Sequence, residues 1–83
     1  MKYGYRVIMY ERTTERVGGI IGIPAALVTQ ALSIAGISNA TELGETELAD
    51  AEVVALANLL GFRSNIPRYR YHLETLAIDP LRA

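Results

Sequence analysis

Eighty-three residues with no cysteine, one histidine and a net charge of −1 describe a single small domain and exclude much chemistry at once. Disulfides, thiolate metal sites and cysteine nucleophiles are ruled out, and a lone imidazole offers too few ligands for a protein-built zinc site. The lack of cysteine fits a reducing compartment, so a cytoplasmic location is expected, and a pI of about 5.7 argues against bulk attraction to nucleic acid.

Residues 3–11 read as a strand, because Tyr5, Val7 and Met9 alternate with Arg6, Ile8 and Tyr10 in a mix of aromatic and β-branched types. Arg12-Thr13-Thr14-Glu15 lacks the Gly or Asn of a tight primed turn, which predicts a longer or distorted loop. Residues 16–23 read as a second strand with Val17, Ile21 and Ile23 on one face. Gly18 and Gly22 fall on the other, where missing side chains mark a bulge or a close approach. Together they make a hairpin over 3–23.

Pro24 suits the first position of a helix over 24–35, where its missing donor costs nothing. Leu27, Val28, Ala31, Leu32 and Ala35 form its core stripe, and Gly36 with Ile37 supplies the stop. The opposite face, including Thr29, Gln30 and Ser33, is polar but uncharged. A fully solvated face usually carries Lys or Glu, so these three residues are the candidate interface.

Asn39-Ala40-Thr41-Glu42 has the form of a capping box for one short turn ending at Gly44. A second helix is expected over 50–60, with Glu47, Asp50 and Glu52 gathered at its positive end and Val53, Leu56, Ala57 and Leu60 buried. The tail alternates strictly over 68–74, giving a strand with Tyr69, Tyr71 and Leu73 inward. Ile66, Tyr69, Leu73, Leu76 and Ala77 also fit a helix after Pro67. The strand is preferred, since three strands make a stabler sheet than a lone hairpin. Asp79-Pro80 marks the expected end of order. The resulting fold is α+β: a small antiparallel sheet, built of the N-terminal hairpin and a C-terminal strand, covered on one face by two helices.

Residues 17–37 carry no charge, are long enough to cross a bilayer, and contain Gly18-x-x-x-Gly22, a spacing of close helix contacts in membranes. A strand followed by a core helix accounts for them better. Pro24 splits the run, three glycines precede it, Gln30 and Ser33 interrupt its second half, and Gly36 ends it. A membrane span is therefore disfavoured, and a signal peptide fits worse with Glu11 and Glu15 ahead of the apolar run.

Catalytic patterns are scarce. His72 and Glu74 share a strand face, where a carboxylate orients an imidazole, but no nucleophile pattern or phosphate loop accompanies them. The acids Glu42, Glu45, Glu47, Asp50 and Glu52 lack the spacing of a calcium loop and read as a dipole-matched helix start. No catalytic residue, metal or cofactor is expected.

All basic residues lie in 1–16 and 63–83, as do all five tyrosines, whereas 17–62 holds only acids. If the outer strands share a sheet, Arg6, Tyr10, Arg68 and Arg70 line a face of the kind on which single-stranded bases stack. The net charge and the acidic middle disfavour nucleic acid. The expected role is a small non-enzymatic interaction module forming a homo-oligomer, most simply a two-fold dimer. Single-stranded nucleic-acid binding is the first alternative, and a membrane protein with a span at 17–37 is the second.

Overall fold

The computed structural model describes residues 2–37 and 44–78. Strands β1 (Lys2–Glu11), β2 (Val17–Gly22), β3 (Gly44–Glu47) and β4 (Tyr69–Ile78) form one antiparallel sheet in the order β2-β1-β4-β3. Helices α1 (Val28–Ile34) and α2 (Asp50–Leu60) cover one face. The α+β reading, with its N-terminal hairpin and its C-terminal strand in one sheet, is therefore present, with β3 as an addition.

The tail is a strand, and it is central. β4 pairs with β1 along ten residues, from Lys2 opposite Ile78 to Glu11 opposite Tyr69. Alternation then decides the faces. Tyr71, Leu73 and Thr75 are buried towards the helices with Val7, Ile23, Ala31, Leu32, Ala35, Leu48, Val53 and Leu56. Tyr71 is the hub of this core. Its ring stacks on Phe62 at 6.0 Å, meets Tyr69 edge-on at 6.3 Å, and its hydroxyl accepts the Asn65 N–H at 2.8 Å.

The hairpin loop carries the distortion that its sequence predicts. Glu15 adopts a left-handed φ of 59° without being glycine, and Glu11 and Arg16 close the loop through a 2.8 Å backbone bond. A register shift follows, with Met9 opposite Gly19 but Tyr10 opposite Val17, so Gly18 is the extra residue of a bulge. A side chain there would force the Tyr69 ring to shift, because a Cβ on Gly18 would lie 2.6 Å from Tyr69 Cε1. The bulge also corrects one expectation. Val17 does not join Ile21 and Ile23 inward; it turns to the helix-free face and is 54% exposed.

Residues 24–35 begin later than expected as α-helix. Pro24 stays extended at ψ 145°, a 3-10 turn covers Ala25–Leu27, and α1 proper starts at Val28. Its stop is the one expected: Gly36 at φ 69°, with the Ile37 N–H donating to Leu32 O at 3.0 Å. Gly61 at φ 76° and the Phe62 N–H on Ala57 O repeat it at the end of α2. The segment 17–37 is thus divided among a strand, a 3-10 turn and a seven-residue helix. Among the described residues, no helix is long and apolar enough to cross a membrane.

One expectation near residue 45 changes. Glu47 belongs to β3, opposite His72, and not to the first turn of α2, which holds Asp50 and Glu52. The Glu52 carboxylate accepts the Ala49 N–H at 2.7 Å, half of a capping box. The expected turn at Asn39–Glu42 and the end of order at Asp79-Pro80 lie outside the described residues.

Candidate functional site

The helix-free face of the sheet gathers most of the polar chemistry. Cross-strand partners share a face, so Arg6 with Glu74, Ile8 with His72, Tyr10 with Arg70, Ile20 with Ile8, and Glu47 with His72 all project from it. Ile8 is only 4% exposed there, screened by these neighbours.

At one end of the face Tyr10, Glu15, Glu45, Arg70 and His72 line an open depression of about 170 Å³. The Tyr10 hydroxyl donates to Glu45 Oε1 at 2.5 Å, and this bond to a carboxylate, aided by desolvation, pushes the phenol above its usual 10.0. The rings of Tyr10 and His72 meet edge-on at 5.0 Å. His72 Nδ1 is enclosed and has no hydrogen-bond partner among the described residues. The expected neighbour Glu74 shares the face, but its carboxylate is engaged at 2.5 Å by Arg6 Nε. None of the five lining residues is Ser, Thr or Cys, and four of them are already engaged with one another, Tyr10 with Glu45 and Arg70 with Glu15. No three His, Asp or Glu side chains converge on a metal-sized gap among the described residues. Of the expected acidic cluster, Glu42 lies outside them.

The candidate arginine–tyrosine platform is only partly assembled. Arg6, Tyr10 and Arg70 share the open face. Arg68 does not join them: it precedes β4, lies 5.1 Å from the Tyr69 ring centre, and reaches Glu11 at 3.5 Å. Each of the three arginines carries a carboxylate partner, Glu74 for Arg6, Glu15 for Arg70 and Glu11 for Arg68. A phosphate would have to displace those partners beside Glu45 and Glu47. The sequence signal for Glu74 was its even spacing with Arg70 and His72. Glu15 gave no such signal, because the loop that delivers it is irregular.

Thr29, Gln30 and Ser33 do come together. With Ile34 and Leu59 they line a shallow groove of about 530 Å³ on the helical side, and all three are exposed.

The two rims of the sheet differ sharply. Ile23 N–H donates to Tyr5 O at 3.0 Å, which fixes the ladder phase between β1 and β2. Gly19 and Ile21 therefore direct their backbone groups to β1, while Ile20 and Gly22 direct theirs outward. On the other rim, the Leu48 N–H bonds Tyr71 O at 2.9 Å, so Glu45 and Glu47 face outward. The β2 rim is uncharged and its Val17 and Ile20 are 54% and 53% exposed. Comparison of the chain with protein-family models, with curated proteins and with solved structures finds no match.

Proposed function

We propose that this chain is a small non-enzymatic interaction module that self-associates. The observation that carries the reading is the β2 rim: a six-residue strand without a charge, bearing two half-exposed aliphatic side chains. Natural sheets usually blunt such an edge with Lys, Pro or a short strand, as β3 does here with brevity and two glutamates. The uncharged groove at Thr29, Gln30 and Ser33 gives a second surface for contact. Light scattering over a wide concentration range tests the reading. The expected mass is a multiple of the 9.1 kDa chain, and a monomer at every loading refutes it.

A second reading draws on Arg6, Tyr10 and Arg70 sharing the helix-free face, and takes that face as a platform for single-stranded nucleic acid. It is less favoured, because the arginines are already paired and Glu45 and Glu47 border the approach. Titration of a short oligonucleotide into the protein at physiological salt separates the two. No binding is expected, and micromolar binding lost on Arg70→Gln would favour the second.

A further inference from the structure

We propose that two copies join through β2, antiparallel about a two-fold axis at Ile20, so that both sheets merge into one of eight strands. This deepens the self-association proposed above and rests on it. The ladder phase selects the register. Between Gly19 and Gly22 the outward backbone groups are those of Ile20 and Gly22, and a strand meeting its own copy must pair that set with itself. Centring on Ile20 sets the outward groups of Ile20 against those of Ile20 in the second copy and spans β2 from Gly18 opposite Gly22.

The side chains agree on both faces. On the helix-free face, the two Ile20 side chains meet and continue the apolar strip that starts at Ile8. On the helical face, Gly19 of each copy falls opposite Ile21 of the other, so a missing side chain meets a bulky one. The distorted end of the strand is also accommodated, because the bulge at Gly18 is matched to another glycine.

Charge identifies the occupant as a second copy and excludes the other rim. No paired residue on β2 is charged, so a two-fold contact brings no like charges together. The same operation on β3 about Thr46 would set Glu45 of each copy opposite Glu47 of the other.

The chain has no cysteine, so a single introduced thiol reports one contact without interference. In the proposed register the two residues at position 20 form a hydrogen-bonded pair with Cα atoms about 5.5 Å apart, within disulfide range. Ile20→Cys under mild oxidation is expected to yield a disulfide-linked dimer, while Thr46→Cys on the opposite rim stays monomeric. Ile20→Lys, at an exposed position, is expected to give monomer mass with an unchanged far-ultraviolet circular dichroism spectrum, and Ser33→Lys in the helical groove to leave the dimer intact. Equal cross-linking of the two cysteine variants, or a dimer that survives in folded Ile20→Lys, overturns the β2 pairing. A dimer lost only in Ser33→Lys overturns it while leaving self-association standing. An unmutated protein that is monomeric at all concentrations removes both. Should Ile20→Lys fail to fold, the cysteine pair decides alone.

Discussion

The contact between Gly18 and Tyr69 makes a sharp test of the bulge. A methyl group on Gly18 would sit 2.6 Å from Cε1 and 3.3 Å from Cδ1 of that ring, where ordinary contact begins near 3.4 Å. The ring has little freedom to retreat. The Arg68 guanidinium lies 5.1 Å from its centre on one side, and the Tyr71 ring 6.3 Å away on another. Overpacking of this kind costs about 1–3 kcal/mol. Restricting the unfolded chain by Gly→Ala returns about 0.4–1 kcal/mol. Gly18→Ala should therefore destabilise the protein by about 1–2 kcal/mol, or a fall of about 4–16 °C in Tm for a domain of this size. Gly4 is the control. Its added methyl would meet Ile78 Cδ1 at 2.7 Å, but Ile78 is 45% exposed near a strand end and turns away cheaply. Gly4→Ala should stay within about 0.5 kcal/mol of the parent. Urea titrations of the two variants with unchanged slopes provide the comparison. If Gly18→Ala is as stable as Gly4→Ala, the bulge is not where the register shift places it.

Leu56 is fully buried, so Leu56→Ala should cost about 3–4 kcal/mol from lost burial plus the cavity, whereas exposed Glu47→Ala should cost less than about 0.5 kcal/mol in the same denaturant assay. Tyr71→Phe should cost about 1–1.5 kcal/mol, since it strands the Asn65 N–H that now donates to the hydroxyl, and a fully neutral result in thermal melts would refute that bond. Tyr10 should titrate above the ordinary tyrosine range by NMR, and Glu45→Ala should bring it down. Because the folded-state pKa is raised, the stabilisation from this bond is present below the unfolded value of 10.0 and is lost as pH climbs through the folded one. A Tyr10 titration indifferent to Glu45→Ala would show that the bond does not form in solution.

Local punctuation was readable where backbone chemistry leaves little choice. Gly36 and Gly61 take the left-handed conformations that helix ends require, and the alternation through Tyr69, Tyr71 and Leu73 placed the core face of β4. β3 was not readable. Gly44-Glu-Thr-Glu has no apolar alternation, and it is a strand only because β4 offers it a rim to pair with. Val17 was misplaced for a related reason: a bulge is a relation between two strands, and one extra residue reverses the face of everything before it. The polar face was half legible. Periodicity put Arg6, Tyr10 and Arg70 together, but the partners Glu15 and Glu45 arrive from a loop and from an unread strand.

The central ladder has a mechanical consequence. Lys2 and Ile78 are opposite each other at the same end of the β1–β4 pair, and the ladder bonds run across the strands between them. Tension applied between these two residues therefore acts along the bonds and loads them one at a time, as in opening a zip. Tension between Glu11 and Ile78 would instead shear the whole ladder at once. The same pair of strands should yield at low force in the first geometry and resist in the second, although its contacts and its equilibrium stability are identical in both.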